Sequence, residues 1–410
     1  MKPLNEKDLI YDWNLHQKTA TRPDKPLEFD DETLRDGLQS PSAIDPPIGD
    51  KLELIHLMAE LGIQGADISL PAAGKRAFDD ADRIVQEIVS AKLPIFPNCA
   101  ARTVVKDVEP IVELSQKHGV PIEVATFIGS SPIRQFSESW DLDFLLKCIE
   151  ETVAFSVKNN LPVMFVTEDS IRAQPEELKR MYQTAIRAGA KRICCTDTVG
   201  HATPDGARAL TKFLRGVADE IDPEVKLDWH GHEDRNLGVA NTLAAAEAGA
   251  DRIHGTALGI GERCGNTPMD ILLVNCKLIG WIDQDLSALN RYVEKASQVI
   301  GAEIPHNYPV LGHDAFRTTT GVHASAIIKA KKKGDAWLAD RVYSGVPASW
   351  VGREQLIEIG PMSGVSNVVF WLESRGFEAK NEWVDAIFSK AKQGERTLTD
   401  DEIKAVIQAI

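Results

Sequence analysis

Eight short apolar runs, each followed by a stretch of helical periodicity, occupy the chain from Leu27 to about residue 280. The runs are residues 27–31, 65–70, 93–96, 122–128, 163–167, 192–196, 226–230 and 252–256. Amphipathic stretches such as 51–61, 141–158, 175–188 and 237–248 separate them. Parallel strands need long crossovers, and eight strand–helix units are the number that closes a barrel. An open doubly wound sheet usually stops sooner, and no GxGxxG follows the first run, which argues against a dinucleotide-binding fold. The fold class is therefore α/β: a TIM (β/α)8 barrel followed by a mainly helical C-terminal subdomain.

The rhythm stops near residue 280. Residues 283–300 read as helical, Ile304-Pro-His-Asn-Tyr-Pro309 as a stiff linker, and two or three more helices close the chain. The expected organisation is an N-terminal arm over 1–26, the barrel over 27–280, a linker and subdomain over 281–345, and a helical subdomain over 346–410. Lys329–Lys333 reads as a solvated helix end or as a contact for a polyphosphate tail.

A net charge of −15 argues against nucleic acid or an anionic membrane as partner. No apolar run is long enough to span a bilayer, and the first residues lack a signal peptide's basic and apolar regions. Six cysteines without CxxC spacing read as reduced thiols, and Cys194 and Cys195 point to opposite faces of their strand. The expected location is the cytoplasm.

In a barrel, active groups come from the C-terminal ends of the strands. Arg35, Asp36 and Gln39 follow the first strand, and Gly37 lets the chain turn there. Asp67 lies in strand two, Glu168 ends strand five, Asp197 and Thr198 end strand six, and a glycine-rich loop follows strand eight. Read alone, residues 32–39 fit an ordinary salt-bridged loop as well as an active site. In Asp228-Trp-His-Gly-His-Glu-Asp234, however, His230 and His232 share one strand face with Asp228. With Asp36 the two histidines make a two-His, one-carboxylate cation site.

The chain resembles the isopropylmalate synthase and homocitrate synthase family, the DRE-TIM metallolyases, from about Leu27 to about Gly376. The motifs that carry this are Glu32-Thr-Leu-Arg-Asp-Gly-Leu-Gln39, Thr126-Phe-Ile-Gly-Ser-Ser-Pro132, Asp197-Thr-Val-Gly200, His230-Gly-His-Glu-Asp234, residues 239–250 and Gly259-Ile-Gly-Glu-Arg-Cys-Gly-Asn266. The resemblance implies an acetyl-CoA-dependent Claisen condensation with a 2-oxo acid. It implies a divalent metal (Mg, Mn or Zn) on Asp36, His230, His232 and Asn266, with Arg35 stabilising the alkoxide and Thr198 holding the substrate carboxylate. Gly259, Gly261, Glu262, Arg263 and Gly265 match the family's acetyl-CoA contact. Asp228 matches an acidic position of homocitrate synthases, as a proton shuttle or an orienting group. His323 and Tyr343 match residues that enter a partner's active site, which implies a homodimer; without the resemblance His323 reads as a surface histidine.

The departures concern the substrate. Leu38 replaces a glutamate, Asp67 stands where a glutamate is common, and Glu233 stands where the motif has asparagine. Ala125 replaces a histidine, and Met164 stands where homocitrate synthases carry an arginine for the distal carboxylate of 2-oxoglutarate. A second carboxylate buried without that cation is costly. The expected substrate is thus an apolar 2-oxo acid, 2-oxoisovalerate or the bulkier phenylpyruvate. Because the chain ends at Ile410, the usual leucine feedback is not expected. A hydroxymethylglutaryl-CoA lyase is the first rival, since Arg35-Asp-Gly-Leu-Gln39 is close to its motif, though its cysteine loop pattern is not matched around Cys264. A non-enzymatic protein on a retired barrel is the second; no metal ligand is missing.

Overall fold

The computed structural model describes residues 9–15, 23 and 25–410. Most of the arm expected over 1–26 lies outside the described residues. Eight parallel strands close a barrel in sequence order: β1 (Glu28–Asp31), β2 (Gly65–Asp67), β3 (Phe96–Arg102), β4 (Glu123–Gly129), β5 (Val163–Glu168), β6 (Arg192–Asp197), β7 (Lys226–Gly231) and β8 (Arg252–Gly255). β8 returns to β1 with Ile253 opposite Phe29. The TIM barrel expected from the alternation is the fold observed.

The helices between strands follow from local chemistry. Pro175 and Pro204 open theirs at positions where the missing N–H costs nothing. Gly119 (φ 65°) and Gly189 (φ 113°) end theirs in the left-handed region, where a side chain is disfavoured.

β3 lies further along than expected, over 96–102 and not 93–96. After Phe96 it runs through Pro97, Asn98, Ala100 and Ala101, residue types that strands disfavour. Pairing with β4, from Asn98 opposite Glu123 to Arg102 opposite Phe127, overrides that preference. The helix expected over 283–300 begins only at Leu289. Asp285 Oδ1 accepts from Ser287 N at 2.9 Å, a local bond that competes with helix initiation.

The described chain divides into two units, one reaching Gln284 and including Lys295–Ala302, the other made of Asp285–Glu294 and Glu303–Ile410. The expected finer boundary at 345 falls inside the second unit. That unit is mainly helical, with helices over Gly321–Lys332, Ala336–Arg341, Val365–Ser374, Asn381–Gln393 and Asp400–Gln408. Trp371, Leu372, Ile387 and Ile403 are among the residues of its larger core cluster. Trp371 Nε1 donates to Asp400 Oδ1 at 3.0 Å, so the buried indole keeps a partner for its N–H. Among the described residues no helix is long and apolar enough to cross a membrane.

Candidate active site at the C-terminal end of the barrel

Period-two alternation along β7 sends Asp228 and His230 into the barrel, while Leu227 and Trp229, which alternate with them, are buried on the other face. Beyond β1 the chain turns at once, with Arg35 N and Gly37 N both donating to Glu32 O. Thr33 Oγ1 accepts from Ala257 N at 2.8 Å, tying that turn to the segment after β8. These ties bring Asp36 to the two histidines.

His230 Nε2 and His232 Nε2 lie 3.1 Å apart, and Asp36 Oδ2 is 3.7 Å from the first and 3.9 Å from the second. Asn266 joins through a backbone bridge to His232, and its Nδ2 is 2.5 Å from Asp36 Oδ2. All four side chains are buried. Burial pushes His232 down to about 4, and the neighbouring His230 adds to this, so the ring is neutral with a lone pair to give. Burial works to raise Asp36, but Arg35 and His230 outweigh it and hold the group below its usual range. His232 Nδ1 and Asn266 Oδ1 are buried with no hydrogen-bond partner. Two imidazoles, a carboxylate and an amide with unused donor capacity fit a divalent cation.

A cavity of about 300 Å³ opens over this cluster. Glu32, Arg35, Asp36, His230 and His232 line one side, and Ala100, Ala125, Phe127, Met164, Val166 and Cys194 line another. Gln39, Asp67, Glu168, Thr196, Thr198, His254, Glu262 and Arg263 complete the lining. Arg35 is shared among three carboxylates, at 2.6 Å from Asp67, 3.0 Å from Asp36 and 3.2 Å from Glu32. One guanidinium cannot neutralise all three. Burial pushes Asp67 up to about 7, with Glu32 and Asp30 adding to it against the pull of Arg35. Burial also raises Glu168. Arg263 is paired with Asp234 at 2.9 Å. Thr198 Oγ1 accepts from Asp169 N at 2.8 Å.

Other expected site residues are placed differently. Asp228 does not line the cavity; it lies two residues lower on β7, fully buried in an ionic layer. Arg192 and Arg252 reach it at 2.6 and 2.7 Å, and against the opposing effect of burial they hold its carboxyl below the usual range. Asp228 reaches the cavity only through His254, which lines it and whose Nε2 lies 3.0 Å from Asp228 Oδ2. Gly259, Gly261 and Gly265 belong to a loop that folds on itself. A Cβ at Gly265 would meet Gly259 O at 1.8 Å, and one at Gly261 would meet Asn266 Oδ1 at 1.9 Å. Their glycines are required for closure whatever binds there. His323 and Tyr343 belong to the second unit, exposed and stacked on each other with ring centroids 4.1 Å apart.

Two site residues carry no sequence signal of their own: Glu32 opens the first motif with no role attached, and His254 sits in an apolar run, and spacing distinguishes neither. Cys194, read as an ordinary buried thiol, lines the cavity. Burial raises it far above the usual thiol range, so it presents an uncharged surface.

Residues 27–294 match the HMGL-like family. The homocitrate synthase AksA of Methanopyrus kandleri is 32% identical over 95% of this chain and 93% of its own. A 2-isopropylmalate synthase of Methylacidiphilum infernorum is 29% identical over 92% of this chain and 74% of its own. Among solved structures, hydroxymethylglutaryl-CoA lyase from Pseudomonas aeruginosa matches with a TM-score of 0.58 at 18% identity, covering 69% of this chain and 96% of that one. At that identity the structural match concerns the barrel fold.

Proposed function

The chain belongs to the HMGL-like family over residues 27–294, and from that membership we propose that it is an acetyl-CoA-dependent acyltransferase. It condenses acetyl-CoA with an apolar 2-oxo acid by Claisen chemistry, giving a 2-substituted malate and CoA. The observation that carries this reading is the Asp36–His230–His232 cluster facing a cavity whose far wall is apolar. Support for a synthase over a lyase comes from coverage. The synthase relatives extend over 92–95% of the chain, the second unit included, whereas the lyase fold match covers 69%.

Asp36, His230, His232 and Asn266 would hold the divalent cation, magnesium, manganese or zinc, which when bound supplies Lewis-acid polarisation of the 2-oxo carbonyl. Arg35 lines the cavity beside Asp36, where its guanidinium stabilises the negative charge that develops on the carbonyl oxygen. Gln39 and Thr198 offer polar contacts to the substrate carboxylate at the mouth. Ala125, Met164 and Cys194 pack together and receive the apolar side chain. The cavity cations Arg35 and Arg263 are already paired, so the distal carboxylate of 2-oxoglutarate finds no partner there. Substrates of the 2-oxoisovalerate or phenylpyruvate type fit this wall.

The loop through Gly259, Gly261, Glu262, Arg263 and Gly265 borders the same cavity and is assigned to acetyl-CoA. Glu168, raised by burial, is a candidate to hold a proton at the rim. The exposed His323–Tyr343 stack supplies the enolising groups to a partner subunit's site, in a cytoplasmic homodimer.

The test is CoA release measured with a thiol reagent, across 2-oxoisovalerate, phenylpyruvate, pyruvate, 2-oxobutyrate and 2-oxoglutarate with added Mg²⁺ or Mn²⁺. Release with one apolar acid supports the synthase and names its pocket. Faster turnover of 2-oxoglutarate overturns the apolar assignment. Cleavage of a hydroxyacyl-CoA with no release from any acid moves the protein to the lyases.

A further inference from the structure

Beside the cation cluster lies a buried carboxylate to which the reaction above gives no part. Glu32 is 3% exposed. Its Oε2 is 2.7 Å from His230 Nδ1, and its Oε1 is 3.0 Å from His254 Nδ1 and 3.2 Å from Arg35 Nη2. His254 Nε2 is in turn 3.0 Å from Asp228 Oδ2, the carboxylate that Arg192 and Arg252 hold. A continuous line, Asp228–His254–Glu32–His230, therefore climbs the barrel interior from the ionic layer to the cation cluster.

The positions of the ring protons follow from these partners. An ionised carboxylate only accepts. His254, with a carboxylate at each ring nitrogen, carries a proton on both. His230 holds a proton on Nδ1, toward Glu32, so Nε2 is the nitrogen that can offer a lone pair to a cation beside Asp36 and His232. Glu32 meets the opposite edge of the ring from that lone pair, so it is not placed as a further ligand of the same cation.

We propose that Glu32 is a positioning residue that locks His230 in the Nδ1–H tautomer and holds Arg35 beside it, with His254 anchoring Glu32 to the ionic layer. One carboxylate thus sets the register between a cation ligand and the guanidinium that stabilises the developing charge. Outer carboxylates that fix the tautomer of a ligating histidine also raise its basicity. This proposal rests on the cation assignment made above for Asp36, His230 and His232.

The test is Mn²⁺ titration of the full-length protein, following the resonance of free Mn²⁺, for the wild type and Glu32→Gln. A glutamine can turn its amide N–H toward His230 Nδ1 and so drive the ring proton onto Nε2. The wild type is expected to bind one Mn²⁺ per chain, and Glu32→Gln to bind it roughly 10–100-fold more weakly. At saturating Mn²⁺ the variant should also show a lowered kcat with KM for the 2-oxo acid little changed, since a neutral amide holds Arg35 less firmly than the carboxylate while Asp67 and Asp36 remain. Equal Mn²⁺ affinity in a folded variant overturns the proposal. Two Mn²⁺ per wild-type chain would instead make Glu32, His230 and His254 a second cation site, which also overturns it. If the variant does not fold, ¹⁵N-histidine NMR of the metal-free wild type decides: a proton on His230 Nδ1 is expected, and Nε2–H with an unprotonated Nδ1 overturns the tautomer lock. Should the wild type bind neither Mn²⁺, Mg²⁺ nor Zn²⁺, the cation assignment itself falls, a result distinct from equal binding by the two proteins.

Discussion

Arg35 Nε lies 2.6 Å from Asp67 Oδ2, while the other oxygen of that carboxylate, Oδ1, is buried with no hydrogen-bond partner. The pair is asymmetric because Arg35 also serves Asp36 and Glu32, leaving Asp67 under-compensated. In the folded chain burial raises Asp67 from 3.8 to about 7, so the folded state keeps a proton that the unfolded state has lost. Stability from this group is therefore fully present below the unfolded value and declines as pH rises toward about 7. Asp67→Asn cannot ionise and removes that decline. The denaturant midpoint of the variant relative to the wild type should improve between about pH 5 and about pH 8. A constant difference over that range would show Asp67 ionised throughout.

Removing a cation ligand should cost more than disturbing an outer partner. Asp36→Ala is expected to weaken Mn²⁺ binding beyond the roughly 10–100-fold range that outer partners carry. CoA release should be lost with it. Dialysis of the wild type against a chelator should abolish release, and added Mg²⁺ or Mn²⁺ should restore it. Full activity after chelation would show that the cluster needs no cation.

Ala125 packs against Met164 and Cys194 in the apolar wall of the cavity, so three further carbons there would take up space meant for the substrate side chain. Ala125→Leu is expected to lower kcat/KM for phenylpyruvate about 10–100-fold and leave pyruvate within about threefold. A parallel fall for both acids would place the side-chain pocket elsewhere.

Arg252 joins Asp228 at 2.7 Å and Glu123 at 2.6 Å, with Asp30 at 3.7 Å, at the centre of the ionic layer. Arg252→Met leaves these carboxylates short of a counter-charge in a buried setting, at a cost of about 3–5 kcal/mol. Urea unfolding reads it directly. A loss below about 1 kcal/mol would mean that protonation of the acids compensates.

The shared-site dimer can be examined by mixing inactive subunits. Asp36→Ala and His323→Ala chains, unfolded and refolded together, form hybrids with one intact site if His323 acts across subunits. About a quarter of wild-type activity should return from an equal mixture. No recovery from a mixture shown to contain hybrids would place both residues in one chain's site.

The strand–helix alternation made the barrel legible because each unit writes its own periodicity, and so did the residues at the strand exits. His230 and His232 are two positions apart, so their common face follows from strand geometry alone. Asp36, nearly two hundred residues away, could be joined to them only because a closed barrel brings β1 and β7 to one end. β3 was misplaced because pairing with β4 outweighed the weak strand preference of its own residues. Asp228 was expected, from its match to an acidic position of homocitrate synthases, to be a proton shuttle or an orienting group, and the fold sets it below the cavity, in contact with His254.

Period, turn chemistry and the succession of motifs are local, and the sequence by itself determined from them the barrel and the polar residues at its mouth. The partners of those residues were decided by tertiary structure. Glu32, just past β1, and His254, in β8, come from opposite ends of the barrel sequence and meet only when β8 closes on β1. Whether a buried carboxylate is ionised or a ring proton sits on Nδ1 depends on which donors and acceptors lie within about 3 Å. Distances of that kind exist only in the folded chain.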